Sequence, residues 1–135
     1  MREPATHLHI DHRLCGLPEL LEEGRSEVRM ITTEAMAVDD RGLVHGGFMF
    51  GLADYAAMLA VNDPNVVLGS ADVRFRAPVR VGDEVVATAR TMSADGRRRE
   101  VEVTVDREGE TVMGGIFTCF VLDRHVLEGD DDARR

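Results

Sequence analysis

Between residues 42 and 56 the chain reads Gly-Leu-Val-His-Gly-Gly-Phe-Met-Phe-Gly-Leu-Ala-Asp-Tyr-Ala, and two features of this stretch could do chemistry. The first is Asp54. From Gly46 to Val61 the other side chains are apolar or small, with Phe48, Met49, Phe50, Leu52, Met58 and Leu59 among them, so Asp54 is the one group there that titrates near neutrality. A helix apolar all round must be buried on nearly every side. A lone carboxylate in it is costly unless it is paired, hydrogen-bonded or protonated. Such a group either anchors a backbone amide or an arginine, or serves as a nucleophile or general base whose pKa desolvation has raised.

The second feature is His45-Gly46-Gly47. Two glycines opening a helix leave amide N–H groups unobstructed at the positive end of the macrodipole, which suits an anion or the oxyanion of a carbonyl under attack. A tight turn that brings the helix close to a sheet would use the same glycines. Asp54 follows Gly46 by eight residues, roughly 12 Å along a helix. One carbonyl cannot touch both within a single subunit. If both act on it, they come from different chains, and an apolar helix on a small sheet also leaves surface that pairing would cover. Both considerations predict a dimer.

The elements that must position these residues can be read from periodicity. Residues 1–13 are polar, and 14–24 read as a short helical turn closed by Gly24. Ser26 to Thr33 alternates, with Val28, Met30 and Thr32 on one face of a first strand. Asp39-Asp40-Arg41-Gly42 is a turn. The helix runs from about Gly46 to Asn62 and is ended by Asn62-Asp63-Pro64. The period then becomes two: Ala71, Val73, Phe75 and Ala77 share one face, and Ser70, Asp72, Arg74 and Arg76 the other, until Pro78 and Val81-Gly82-Asp83 interrupt. Strands follow at about 84–92, 97–107 and 110–122, joined by turns at Ser93-Ala94-Asp95-Gly96 and Glu108-Gly109. A strand, a long apolar helix and an antiparallel meander make an α+β domain with the helix packed on the sheet. The expected organisation is a partly ordered N-terminal segment (1–25), one domain (26–125) and an acidic flexible tail (126–135) carrying Glu128, Asp130, Asp131 and Asp132.

Composition limits the partners. The 135 residues are 44% apolar and 30% charged, with a net charge of −9, no Trp and one Tyr. An acidic surface with few aromatics disfavours nucleic-acid binding. The longest apolar run, residues 46–61, is too short and too interrupted for a membrane span. The start of the chain lacks a signal-peptide core, and Cys15 and Cys119 have no disulfide-framework spacing, so a cytoplasmic protein with reduced thiols is expected.

Residues 42–56 resemble the helix signature of the PaaI-like (phenylacetic-acid-pathway) acyl-CoA thioesterases, a Gly, two residues, His-Gly-Gly, then Leu/Ala-Asp-x-Ala. The resemblance covers about residues 26–122 and implies the hotdog fold, a long central helix on an antiparallel sheet. It implies acyl-CoA hydrolysis without metal or organic cofactor, by a homodimer that usually pairs into a tetramer, a dimer of dimers. It carries the role of nucleophile or water-activating base to Asp54, and the oxyanion contact to the Gly46 amide of the facing subunit. Gly47 completes the motif, and His45 shapes the turn or lines the pocket. Many members have Asn three residues before the first motif glycine, seven before the one that opens the helix; here that position is Asp39. A second carboxylate there could raise the pKa of Asp54 or hold a water, or could belong to a surface loop.

Residues 67–75 and 78–83 are similar to the malonyl-CoA-sensing domain of the bacterial fatty-acid-synthesis regulator, which binds acyl-CoA without hydrolysing it. That domain has Asn where this chain has Asp54, and its helix-turn-helix needs more chain than the roughly 25 residues ahead of the first strand, so hydrolysis is preferred over a sensing module. His7, His9, His12 and Cys15 could bind zinc, but their spacing fits no standard closed site, and capping or packing is expected instead. Arg97, Arg98 and Arg99, with Arg74, Arg76 and Arg80 as alternatives, could meet the phosphates of coenzyme A. Asp40-x4-His45 matches by count the acid–histidine pair of acyl-CoA hydratases, without their flanking pattern.

Overall fold

The computed structural model describes residues 1–133. Elements α1 (His12–Cys15), β1 (Leu17–Glu22) and β2 (Arg25–Ile31) lead through a short 3-10 turn to α2 (Gly46–Val61); β3 (Val66–Phe75), β4 (Glu84–Asp95), β5 (Arg98–Arg107), β6 (Glu110–Val121) and α3 (Val126–Ala133) follow. Among the described residues the six strands form one antiparallel sheet in the order β1-β2-β4-β5-β6-β3. Helix α2 lies across β2, β4 and β5.

Strand alternation supplies the face that receives the helix. Val28 and Met30 of β2, Val85, Ala87 and Ala89 of β4, Val101, Val103 and Val105 of β5, and Met113, Phe117 and Cys119 of β6 are all buried. Opposite them stand Leu52, Ala53, Ala56, Ala57 and Ala60 of α2. Alanine on both surfaces lets the backbones approach closely, and the larger side chains then interdigitate at interior density. The Ser26 hydroxyl donates to the Ala56 carbonyl at 2.6 Å, a buried polar pin between β2 and α2. Thr32, also buried, donates to the carbonyls of Arg80 and Asp83. At the far end of α2, Asn62 adopts a left-handed conformation and caps the helix. Its side chain accepts from the Ala5 amide and donates to the Glu3 carbonyl, tying the N-terminal segment down.

The structure corrects three expectations. Residues 17–22 form a strand paired with β2, where a helical turn was read; Gly24 closes the β1–β2 hairpin. Leu17, Leu20 and Leu21 suit either conformation by type, and pairing with the β2 edge decides it. Secondly, β4 continues to Asp95, so the hairpin turn is Gly96-Arg97 and the 93–96 turn is not formed. Thirdly, the face carrying Ala71, Val73, Phe75 and Ala77 is not a buried one: Ala71 and Phe75 are exposed, and Ala77 lies beyond the strand end. Strand β3 is the sheet edge, only partly covered by the helix. In the expected acidic tail, Val126–Ala133 is helical, and residues 134 and 135 lie outside the described residues.

Gly115 of β6 pairs with Val73 of β3 and leaves no room for a side chain. A Cβ there would lie 2.0 Å from the Asp72 carbonyl oxygen and 2.7 Å from the Val73 Cα. Backbone cannot yield as a side chain can, so Gly115→Ala is expected to cost roughly 1–3 kcal/mol. Thermal unfolding should show this as a clear fall in Tm, and an unchanged Tm would mean that β3 does not pack as described.

Candidate active site

The entry to α2 is built by a small hairpin. Ala37 and Val44 are bridged, and the Val38 amide donates to the Leu43 carbonyl at 2.8 Å. The turn between them is organised by Asp39, whose Oδ1 accepts from the amides of Arg41 (3.0 Å) and Leu43 (3.1 Å). This is the local capping that Asp-x-x-Gly sequences favour. A bridge between Leu43 and Arg80 extends the pairing, and the His45 amide donates to Met36 before the helix begins.

At the helix start His45 is the N-cap residue, with extended backbone and no capping bond from its side chain. The first-turn amides of Gly46 and Gly47 have no acceptor among the described residues, as expected of orphan donors at a helix N-terminus. Both glycines are held by their surroundings. A Cβ on Gly46 would lie 3.3 Å from the Phe75 ring, and one on Gly47 would lie 3.0 Å from the His45 ring, which packs edge-on to Phe48. The result is a pair of free donors at the positive end of a long helix, flanked by Phe75 and His45 and suited to a developing oxyanion.

Two turns further on is Asp54. Its Oδ1 is buried and has no hydrogen-bond partner, although the residue as a whole is only half-buried. A Cβ added at Gly51, one turn before it, would meet nothing within 4 Å. Gly47, Phe50, Gly51, Asp54 and Val61 thus form a stripe of α2 that the chain leaves partly open, contrary to the expectation of burial on nearly every side. Burial pushes the Asp54 carboxyl up to about 6. Burial first, with the Asp54 charge among the lesser causes, raises the thiols of Cys15 and Cys119, the latter to about 12. Both thiols therefore lie within electrostatic reach of the carboxylate, which their sequence spacing gave no means of finding.

Asp39 stands apart. It is exposed, it is engaged with its own turn, and it is not among the causes of the Asp54 shift within one chain. It lines a cavity of about 220 Å³ with Arg41, Leu43, Pro78 and Arg80 beside the helix entry. The four N-terminal candidates have separate partners: His7 pairs with Thr6, His12 with the Gly16 carbonyl, and both imidazoles lie near the Tyr55 ring, at 6.2 and 6.1 Å, while His9 is exposed. Among the described residues no helix is long and apolar enough to cross a membrane.

An antiparallel sheet receiving one long helix, with an unpartnered acid on the open stripe of that helix and free amides at its start, is the hotdog arrangement. The profile of the Thioesterase superfamily matches residues 41–113, over half of the chain, and the protein belongs to this superfamily. The structure is similar to that of an uncharacterized protein of Pyrococcus horikoshii, with a TM-score of 0.92 and 55% identity over 93% of this chain and 97% of that one. It is similar to a mutant of the phenylacetic acid degradation protein PaaI of Thermus thermophilus, with a TM-score of 0.74, 30% identity and coverage of 81% and 95%. In sequence it is 49% identical over 119 residues to the methylthioribose-1-phosphate isomerase of Aquifex aeolicus, covering 87% of this chain but 26% of the isomerase. It is also 26% identical over 113 residues to the transcription factor FapR of Caldanaerobacter subterraneus, covering 83% of this chain and 56% of FapR. The chain thus spans about a quarter to half of these two relatives.

The Asp54 shift has a consequence for stability. In the unfolded chain the carboxyl titrates at its ordinary 3.8, and in the folded chain at about 6. Between these values the unfolded state gives up a proton that the folded state keeps. The residue is therefore neutral to stability well below pH 4 and increasingly unfavourable as pH rises to 6. Asp54→Asn should stabilise the protein at pH 7 by about 1–2 kcal/mol, allowing for partial exposure. Urea unfolding at pH 7 and pH 3.5 should show that advantage at the first pH only.

Proposed function

We propose that the protein hydrolyses acyl-CoA thioesters, with Asp54 as the catalytic carboxylate and the Gly46 amide as oxyanion donor. The observation that carries this reading is the buried, unpartnered Oδ1 of Asp54, on a helix whose first amides are also unfilled, in a member of the Thioesterase superfamily. The similarity to PaaI supports the same reaction class.

The two groups lie roughly 12 Å apart along one helix, so each site would use Asp54 of one protomer and Gly46 of its partner. Support for such pairing comes from the apolar surface left uncovered. Phe75 is 56% exposed on an edge strand, against Gly46, and the open stripe of α2 lies on the same chain. An edge strand with free backbone groups pairs readily with its own copy about a two-fold axis. The reading extends to a tetramer made of two such dimers, and to a cytoplasmic location.

In the reaction the substrate carbonyl oxygen rests on the Gly46 amide, with Gly47 keeping the approach open and His45 forming one wall. Asp54 either removes a proton from a water that attacks the carbonyl carbon, or attacks it directly to give an anhydride that water then opens. The tetrahedral oxyanion gathers charge where the helix N-terminus favours it. Collapse breaks the carbon–sulfur bond, and the thiolate leaves with the proton Asp54 held or with one from water. Asp39 serves by fixing the turn that leads into the helix. No metal or organic cofactor takes part.

Thiol release from short, long and aromatic acyl-CoAs tests the reaction and finds the acyl group. Asp54→Asn is expected to lower kcat by roughly 10²–10⁴-fold while the fold and dimer persist; near-parental turnover would sink the assignment. The carboxylate acts ionised, so kcat/KM should fall as pH drops below about 6. Phe75→Asp should yield monomers in sedimentation and lose turnover with them. The similarity to FapR keeps one competing reading in view, a binding module that takes up acyl-CoA and releases no thiol; the same assay separates the two.

A further inference from the structure

Gly47, Gly51, Asp54 and Met58 follow one another at helical spacing and share one face of α2, the face turned away from the sheet. The first three leave that face open: Gly47 is exposed, a side chain at Gly51 would meet nothing within 4 Å, and Asp54 is half-buried. Met58, one turn beyond, is only 1% exposed, and Tyr55 beside it 2%. The sheet lies on the other side of the helix, so something else covers this end. The N-terminal segment does. It is tied to Asn62 through Glu3 and Ala5, its His7 and His12 rings flank Tyr55, and a Cβ at Gly16 would lie 2.7 Å from Leu52. The segment thus runs back along α2 from its C-terminal end and stops level with Asp54.

Where the open face ends, the segment presents Ile10 and Cys15, both half-buried and packed against the core. Burial raises the Cys15 thiol first, with the charges of Asp11 and Asp54 adding to it, which places Cys15 within reach of the carboxylate. The polar groups of the segment are engaged with one another. Arg13 pairs with Asp11, His12 bonds the Gly16 carbonyl and His7 bonds Thr6. The bank beside Asp54 is therefore apolar and offers no uncommitted arginine to a negatively charged group, which Asp54 itself would repel.

We infer that the segment Ile10–Cys15 is the wall against which the acyl group lies, and that it selects uncharged, apolar acyl groups. This rests on the reading that the thioester is attacked at Asp54. The open half of the face, floored by Gly47 and Gly51, is bare of side chains and gives room to the slender arm of the carrier. The acyl chain then points to the covered half, where Cys15 and Ile10 meet it. An acyl group ending in a carboxylate loses its hydration there and gains no partner, a cost of the kind that excludes a substrate. Cys15 is thus a specificity residue and takes no part in the bond changes.

Thiol labelling of the intact protein with N-ethylmaleimide tests the wall without hydrolysis. Cys119 is buried and its thiol is pushed up to about 12, so the label reads Cys15. S-octyl-coenzyme A, a thioether that cannot be cleaved, should slow labelling roughly 10-fold when present at about ten times its Kd. Coenzyme A alone, or a thioether whose chain ends in a carboxylate, should leave the rate within about 2-fold at the same concentration. In hydrolysis, Cys15→Phe should lower the ratio of kcat/KM for octanoyl-CoA over acetyl-CoA by roughly 10-fold or more. Leu8→Phe, at an exposed position of the same segment, should leave that ratio unchanged. No protection by S-octyl-coenzyme A, equal protection by the carboxylated thioether, or an unchanged ratio in Cys15→Phe overturns the inference. If S-octyl-coenzyme A protects Cys15 while the parent releases no thiol from any acyl-CoA, the wall stands and the hydrolase reading falls. Thiol release with Cys15 unprotected does the reverse.

Discussion

Close contact between α2 and the sheet governs the rest of the molecule. Ala53, Ala56, Ala57 and Ala60 of the helix face Ala87 and Ala89 of β4 and the valines of β5, so the helix backbone lies low on the sheet and the Ser26–Ala56 bond can form. A helix set this deep carries most of its sequence into a low-dielectric region, including one oxygen of the carboxylate it holds. Desolvation of Asp54 is thus a product of the packing, with no charged neighbour needed to raise its pKa. Its Oδ1 is held without a partner, an expense a structural anchor would not incur.

The same packing leaves one stripe of the helix uncovered, because a single sheet can wrap only part of a helix. That stripe carries Asp54, and the edge strand β3 carries Phe75 beside Gly46. Both halves of the proposed chemistry therefore lie at the margins of the chain's own core. In the proposed chemistry a second copy would supply what one chain lacks, and the roughly 12 Å between the groups is the geometric reason for it.

Charge is distributed with similar economy. More than half of the arginines among the described residues pair with nearby carboxylates, as Arg29 does with Glu19 and Glu84, and Arg107 with Asp83 and Glu110. Such surface pairs contribute little to stability individually, but they silence the positive charge. Arg41 and Arg80 form no ion pair with a described residue, and both line the cavity beside the helix entry, with Asp39. Local pairing of the 41–44 segment with residues 79–81, rather than composition, creates that concentration.

Much of this was legible in the residues themselves. Alternation marked β2 and the cores of β4, β5 and β6; Asn62-Asp63-Pro64 marked the end of α2; and the apolar run around Asp54 marked the acid as costly, because each of these signals is local in sequence. The strand β1 and the exposure of β3 were not legible, since both depend on position in the sheet: an available β2 edge turns residues 17–22 into a strand, and β3 lies at the opposite edge, where the helix covers it only in part. The electrostatic reach of Asp54 to Cys15 and Cys119 and the meeting of Arg41 and Arg80 at one cavity likewise join residues distant in sequence. The chain's order of residue types determined which acid would be buried and which glycines would open the helix. Only tertiary structure decided what surrounds them, because burial, partner choice and unspent charge belong to contacts between elements and not to any one of them.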